Sequence, residues 1–253
     1  MSNACNYVIL GRGSWARRMR AMLAEEGHTV SLIEETRRRE GESDLAFSAR
    51  LADAMKQSGA QIAWLCVLPG RHVSLMTQAA LEAGLHVIAE KPWYGSMEET
   101  QRLQTLAFSS SRILAVHFEY LMLEEVAQWR RDFYPGTGLK FAGHFFLSRP
   151  DRTGIPALAN LGSHLLAIRE YVCPSAGISE LECAFDRPDE RSVWLEKDAQ
   201  MLSAINLLTH RQPIIQRFIK NVEAALDGCA AFPFDLNFAL RVANAVNARN
   251  GAK

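Results

Sequence analysis

A regular alternation of strand-like and helix-like segments in the first part of the chain most constrains the fold. Short apolar runs rich in β-branched residues are separated by longer segments in which apolar residues recur at helical spacing. Crossovers between parallel strands are right-handed, so this order predicts a doubly wound parallel sheet, an α/β domain over residues 1–120. The strand-like segments are NYVIL, HTVSLIE, QIAWLCVLP, LHVIAE and RILAVHF.

The pattern changes in the remaining residues, 121–253. Strand-like segments now alternate in polarity, and a helical segment, ANLGSHLLAIREYV, lies between the first two of them. We predict a smaller α+β domain with a mostly antiparallel open sheet, and a final helix that packs back on the first domain. Its strands are expected in KFAGHFFLS, ISELECAF, RSVWLEK and QMLSAINLL.

Composition narrows the classes of function. The chain has 28 basic and 28 acidic residues and a formal net charge of zero, so no nucleic acid or anionic membrane is expected as a partner. Its five cysteines show no C-x-x-C spacing, which argues against a zinc site or a disulfide framework and fits a reducing cytoplasm. No segment approaches the ~20 apolar residues needed to cross a bilayer. The expected partner is a small molecule, and no metal is expected.

A glycine-rich turn directly follows the first strand and opens the first helix. In the pattern G-x-G-x-x-A, the first glycine permits a tight turn and the second lets a pyrophosphate approach the backbone. The alanine keeps the helix close to the strand, and the helix N-terminus supplies N–H donors to the phosphates. This position in a β-α-β unit predicts a dinucleotide site formed by Gly11, Arg12, Gly13, Ser14, Trp15 and Ala16.

The end of the second predicted strand bears on the choice of coenzyme. Glu34 lies 23 residues after Gly11, where a carboxylate accepts hydrogen bonds from the adenosine ribose. The following arginines, 37 to 39, offer an alternative, because they could meet a 2′-phosphate. Glu34 is better placed, so NAD is favoured over NADP.

The fourth predicted strand ends in a charged pair, Glu90-Lys91-Pro92. Pro92 has no N–H to donate and ends the ladder. Ligands of open α/β sheets bind at the carboxyl ends of the strands, so Lys91 is either a solvated turn residue or a working amine. These three residues alone leave both interpretations open.

The glycine turn, CVLPGRHVSLMTQAALEAGLHVIAEKPW and NLGSHLLAIREY together resemble the Gfo/Idh/MocA oxidoreductases. The resemblance covers most of the chain and is most specific at residues 90–92. It implies a Rossmann domain followed by an α/β domain whose open sheet covers the active site. It also implies that Lys91 lies beside the nicotinamide and hydrogen-bonds the reacting substrate oxygen. The cofactor residues it implies in this region are Leu68, Pro69, His72, Glu90, Lys91 and Pro92.

The later motif departs from the family pattern. The family has an Asp four residues before the helix histidine, on the same helical face, whereas this chain has Asn160 before His164. An asparagine can orient an imidazole but cannot stabilise the imidazolium, so His164 should be a weaker base. The second family acid is Ala167 here, and the usual arginine after AVHFEY corresponds to Tyr120.

These residues define a candidate site with altered substrate recognition. The second domain is also shorter than is common in the family, which suggests an open site or one completed by another subunit. The catalytic candidates are Lys91, His164 and Asn160, and the substrate-binding candidates are His117, Tyr120, Arg149 and Arg152.

Two classes of function fit these residues. The first is an NAD(P)-dependent oxidoreductase acting on a sugar, polyol, carbonyl or imine metabolite. The second is a nicotinamide-binding sensor or scaffold that has lost turnover. Lys91 favours the enzyme, because a protein that only binds the cofactor has no need of an amine there. The resemblance also implies a homodimer or homotetramer formed through the second sheet.

Overall fold

The computed structural model describes residues 4–151, 154–228 and 232–250. The chain divides into two compact units. Unit 1 combines residues 1–117 with 223–240, and unit 2 combines 118–222 with 241–253. The division near residue 118 lies close to the boundary expected from the sequence, and a later segment returns to unit 1.

Unit 1 contains a five-stranded parallel sheet of order β2-β1-β3-β4-β5. The order reverses between β1 and β3, and ligands of such sheets bind at that reversal, outside the carboxyl ends of the strands. The alternating elements are β1 (Asn6–Leu10), α1 (Ser14–Glu25), β2 (Thr29–Ile33), α2 (Asp44–Gln57), β3 (Ile62–Leu65), α3 (Arg71–Glu82), β4 (His86–Glu90), α4 (Met97–Ser109) and β5 (Leu114–His117).

Local sequence explains these elements. Every residue of β3 and of β5 is buried, as expected for strands covered on both faces. Two helices begin at serine caps: Ser43 accepts from the Ala46 N–H at α2, and Ser96 forms a capping box with Glu99 at α4. These caps fix where the helices start and so how long the preceding loops are.

Unit 2 contains a four-stranded mixed sheet of order β7-β6-β8-β9. Two of its three strand pairs are antiparallel, which confirms the mostly antiparallel sheet that the sequence predicted, and β7 runs parallel to β6. The helix between them is the reason, because a strand–helix–strand crossover returns the chain in the same direction. The elements from Phe118 onward are α5 (Glu124–Phe133), β6 (Leu139–Leu147), α6 (Ser163–Val172), β7 (Gly177–Phe185), β8 (Glu190–Lys197), β9 (Gln200–Asn206), α7 (Arg211–Leu226) and α8 (Leu236–Asn250).

The two faces of the second sheet differ in burial. On β8, Arg191, Val193 and Leu195 are buried, while the intervening residues, including Trp194, are partly exposed. Strand side chains alternate between faces, so β8 presents one covered face and one open face. Arg191 is therefore a charged residue on the covered face.

A polar network lies where β1 and β2 of unit 1 begin, at the end of the sheet opposite the glycine turn. Glu223 lies 3.0 Å from His28 Nε2 and 3.5 Å from the Tyr7 hydroxyl, and the Cys5 N–H donates to His28 Nδ1 over 3.2 Å. Because Nδ1 accepts, the ring proton is on Nε2 and is donated to Glu223. Neither ring nitrogen then offers a lone pair to a metal, although the Cys5 thiol is nearby. The network ties residue 223 to the sheet.

In the parts of the chain that the structure describes, none of the helices has the length and apolar character required to span a bilayer.

Candidate functional site

The glycine turn lies where β1 meets β3, at the sheet reversal. Gly11 has φ +142°, and a Cβ there would lie 2.3 Å from the Cys66 carbonyl oxygen, so only glycine fits. A Cβ on Gly13 would meet nothing within 4 Å. Packing within the chain therefore does not require glycine at 13, whereas the close approach of a pyrophosphate does. No side chain caps α1, which leaves its first N–H groups facing that space.

The loop after β2 is held by arginines. Glu34 is exposed just beyond the strand end. Arg39 donates to Glu35 through two bonds of 2.9 Å, and Arg38 pairs with Asp44. Two of the three arginines considered for a 2′-phosphate are thus paired within the loop.

Arg50 of α2 organises the same loop. It donates to the Glu42 carboxylate over 2.7 and 2.9 Å and to the carbonyl oxygens of Glu35 and Arg37 over 2.9 and 3.0 Å. The hydrogen bonds from Arg50 and from the Arg39 N–H lower the pKa of Glu42 to about 2. Glu42 is therefore ionised at neutral pH, and the loop that carries Glu34 has a fixed backbone.

Glu90, the last residue of β4, is the meeting point of three N–H donors. The indole N–H groups of Trp15 and Trp64 donate to Glu90 Oε1 over 2.7 and 2.9 Å, and His117 Nδ1 lies 3.1 Å from the same oxygen. The His117 side chain is fully buried and that of Glu90 is 13% exposed. His117 stacks on Trp15 with ring centroids 5.9 Å apart. One carboxylate thus connects α1, β3, β4 and β5 at the edge of the sheet that carries the glycine turn.

Charge and hydrogen bonding keep this carboxylate ionised. Burial alone raises the pKa of Glu90, but the charge of His117 and the hydrogen bonds from His117, Trp15 and Trp64 outweigh it and lower the pKa. Burial and the charge of Glu90 raise the pKa of the Cys66 thiol well above its usual value. Cys66 is therefore a neutral thiol beside the glycine turn.

The remaining cofactor candidates lie on the loops after β3 and β4. Lys91 and Pro92 follow Glu90 directly and are joined by a cis peptide bond, and Lys91 is half-buried. Leu68 is 53% exposed although it is apolar. Burial lowers the pKa of His72 against an opposing backbone hydrogen bond to Leu68. Pro69 is half-buried on the same loop, so these candidates lie at one edge of the sheet.

His164 lies in unit 2, near the start of α6, and is 3% exposed. Its ring packs edge-on against Tyr120 with centroids 4.7 Å apart and parallel to Phe145 at 6.0 Å. Asn160 lies in a π-helical turn, Leu158–Gly162, that directly precedes α6. The sequence predicted a regular α-helix through both residues, and π-turns of this kind are frequent at functional sites.

The substrate-binding candidates fall into different environments. His117 and Tyr120 are buried, at 0% and 1% exposure, and Tyr120 accepts a 2.7 Å hydrogen bond from Arg191. In this conformation both side chains contact protein groups. Arg149 is exposed on the loop after β6, and Arg152 lies outside the described residues.

Comparison with known proteins identifies the first unit. A family model for Gfo/Idh/MocA, described as an oxidoreductase family with an NAD-binding Rossmann fold, matches residues 5–118. This unit is similar to the NAD-binding domain of that oxidoreductase family. The resemblance inferred from residues 90–92 and the glycine turn is thereby confirmed.

The individual relatives of the chain are distant. It is 29% identical to mouse biliverdin reductase A over 135 residues, 52% of this chain and 45% of that one. It is 25% identical to the uncharacterized oxidoreductase YfiI of Bacillus subtilis over 154 residues, 52% of this chain and 39% of that one. The match thus spans less than half the length of either relative.

Solved structures extend the likeness of fold to the second unit. UDP-N-acetylglucosamine 3-dehydrogenase GnnA from Acidithiobacillus ferrooxidans is similar with a TM-score of 0.79 at 13% identity, over 97% of this chain and 96% of that one. The order of a Rossmann unit followed by a unit with a mostly antiparallel sheet is therefore a shared architecture, as the sequence predicted.

Three residues that the structure places in these networks were not predicted from the sequence. Trp64 was considered only as part of an apolar strand, Arg50 as part of an amphipathic helix, and Arg191 as part of an alternating strand. Only Arg191 left a signal, because a charged residue stands where the alternation in RSVWLEK predicts an inward-facing apolar one.

Proposed function

We propose that the protein is an NAD-dependent oxidoreductase that transfers a hydride between nicotinamide and a small sugar, polyol, carbonyl or imine metabolite. The observation that carries the proposal is that the glycine turn and Lys91 lie at the same edge of the unit 1 sheet, where the carboxyl ends of its strands meet. Gly13, where a side chain would enter open space, lets a dinucleotide approach at the sheet reversal, and Lys91 follows the carboxylate of Glu90 two strands away. A reactive amine at the nicotinamide end suits chemistry rather than binding alone.

The environment of Glu34 favours NAD over NADP. Its exposed carboxylate at the end of β2 suits hydrogen bonds from ribose hydroxyls and repels a 2′-phosphate. The pairing of Arg38 with Asp44 and of Arg39 with Glu35 reduces the positive charge available to such a phosphate. Exposed Leu68 offers an apolar surface on the neighbouring loop.

Lys91 and His164 have separate roles in the proposed reaction. When bound, the cofactor supplies or accepts the hydride. The Lys91 ammonium stabilises negative charge that develops on the substrate oxygen in the transition state. His164 donates a proton to that oxygen during reduction and accepts one during oxidation. Asn160 orients the ring without adding charge, so imidazolium gains less stabilisation than in relatives that have an acid there.

The test is a screen for NADH and NADPH oxidation against sugars, ketones and imines, repeated with variants. We expect Lys91→Ala to lower turnover about 10²-fold or more while the Kd for NADH changes little, because the amine acts on transition-state charge. Lys56→Ala, at an exposed helix position, is the matched control. NADH binding without turnover of any compound, together with no effect of Lys91→Ala, would favour the sensor instead.

A further inference from the structure

Arg191 is a buried cation in an apolar layer. It lies on the covered face of β8, opposite Phe145 of β6 and two residues before Val193, and only 5% of its surface is exposed. Phe145 in turn stacks on His164. A position between these side chains is one where an apolar residue is expected, so the guanidinium needs an explanation.

Its present partners do not balance its charge. Arg191 Nη1 donates to the Tyr120 hydroxyl over 2.7 Å, whereas its Nε is enclosed and has no hydrogen-bond acceptor among the described residues. Across residues 4–151, 154–228 and 232–250, no carboxylate forms an ion pair with it. A buried cation that has only a neutral partner is costly, because desolvation is not offset by an opposite charge.

One acidic group that feels the charge of Arg191, Asp189, is held by another donor. Asp189 is exposed and accepts the Ser148 N–H over 2.7 Å, and it is influenced by the charges of both Arg191 and Arg149. An exposed carboxylate held by another donor gives a buried guanidinium only compensation that is screened by solvent. The group formed by Arg191, Tyr120 and Phe145 thus has an excess of positive charge close to His164.

We propose that Arg191 binds a carboxylate group of the substrate, with Tyr120 holding the guanidinium in place. Nη1 is occupied by the Tyr120 hydroxyl, and a guanidinium retains parallel donors that suit the two oxygens of a carboxylate. The position after β5 where the family resemblance implies an arginine holds Tyr120 in this chain. Arg191 of β8 places its guanidinium at the hydroxyl of that tyrosine.

This inference rests on the proposed function and narrows its substrates to acids. Tyr120 contacts both Arg191 and His164, so a carboxylate at Arg191 would place the rest of a small molecule near the proposed proton donor. The expected substrate class is a hydroxy or oxo acid, or a sugar acid, rather than a neutral polyol.

Binding can be tested without turnover. We suggest calorimetric titration of the NADH-bound protein, at fixed ionic strength, with two matched pairs of probes: glucuronate against glucose, and pyruvate against hydroxyacetone. Inorganic phosphate is a fifth probe. We expect each acid to bind roughly tenfold or more tightly than its neutral partner, as for a charge-assisted hydrogen bond.

Two variants and one control assign that preference to Arg191. The preference should vanish in Tyr120→Phe/Arg191→Met and persist, weakened, in Tyr120→Phe. The preference should be unchanged in Arg187→Gln, which alters an exposed arginine of the loop between β7 and β8. The double variant should also unfold at the same or a higher temperature without ligand, because it removes an uncompensated buried charge.

Several results would overturn the inference. They are equal binding of acids and neutral partners, a preference that survives the double variant, a stronger preference for phosphate than for either acid, and a double variant that fails to fold. The proposed function fails separately. Arg191-dependent binding of acids without any NADH oxidation would leave this inference standing and remove the activity, whereas Arg191-independent turnover of neutral compounds would do the reverse.

Discussion

The indole N–H of Trp15 donates to Glu90 Oε1 over 2.7 Å and joins the helix of the glycine turn to the strand that precedes Lys91. The Glu90 carboxylate therefore positions both the glycine turn, which is proposed to bind the phosphates, and the strand end that carries the Lys91 amine. His117 contributes to the same contact by pairing with Glu90 and stacking on Trp15.

Removal of the charge at Glu90 should weaken both the fold and cofactor binding. We expect Glu90→Gln to lower the free energy of unfolding by about 1–3 kcal/mol, because three N–H donors lose an ionised acceptor. The affinity for NADH should fall as well. Denaturant unfolding and fluorescence titration measure these effects, and Glu82→Gln, at an exposed position of α3, is the control. Equal stability of both variants would contradict the role given to Glu90.

The same carboxylate should contribute to acid unfolding. The pKa of Glu90 is lowered in the folded protein, so its stabilising contribution is present above the unfolded value of about 4.3. That contribution is lost as the pH falls through the folded pKa. Between neutral pH and pH ~3, wild type should therefore lose more stability than Glu90→Gln. If wild type and Glu90→Gln lost stability equally as the pH fell, the pair of Glu90 and His117 would add no pH-dependent stability.

The coenzyme preference should depend on Glu34. We expect NADH to bind more tightly than NADPH, and Glu34→Gln to lower NADH affinity about tenfold while reducing the discrimination. Arg37→Gln, three residues further along the same loop, is the comparison. The assignment of the adenosine ribose to Glu34 would be wrong, and Arg37 would be the recognising residue, if wild type bound NADPH more tightly or if only Arg37→Gln lost NADPH binding.

Asn160 gives a test of His164. Replacement by Asp adds a negative charge one turn away, which favours imidazolium and should raise the pKa of His164 by about 1–3 units. NMR titration of the ring measures the shift directly, and the limiting pKa of a pH–rate profile should move in the same direction. Asn160→Ser, which adds no charge, should leave the pKa within a few tenths of a unit. An unmoved ring would separate Asn160 from the proton-transfer group.

His144 on the open face of the second sheet predicts a pH dependence of stability. Partial burial favours its neutral form, but hydrogen bonds to Glu180 and Glu190 of 3.0 and 3.1 Å raise the pKa. The resulting stabilisation is present below the unfolded value of about 6.5 and is lost as pH rises through the folded pKa. Glu190→Gln should reduce that loss, whereas Asp198→Asn on the adjacent hairpin should not. Unfolding temperatures measured from pH 5 to 9 test it.

That open face is also the surface through which we propose that copies of the chain associate. Trp194 of β8 is partly exposed there beside His144, and Met201 of β9 is 62% exposed. Light scattering at micromolar concentration should give a dimer or tetramer, and Trp194→Glu should shift it toward monomer. Phe108→Glu, at an exposed apolar residue of unit 1, should not. A monomeric wild type would contradict the proposal.

Local sequence was sufficient to predict the first unit. Each βα step buries its own apolar residues, and the glycine turn reports a backbone conformation that few other residues adopt, so the succession of elements, the turn and the fold class follow from neighbours in the chain. The same signals located Lys91 at a strand end. Sequence also proposed His164 as a site residue, through a motif that the structure divides between a π-helical turn and α6.

Tertiary structure decided which side chains meet. Trp15, Trp64 and His117 are separated by up to 102 positions in sequence, yet all bind Glu90, because parallel strands bring their carboxyl ends to one edge. The parallel pairing of β7 was decided in the same way, by the crossover through α6. Arg191 contacts Tyr120 from 71 residues away. Periodicity records which face of an element is buried but not which element covers it, so a buried charge and its partner become visible only once the chain has folded.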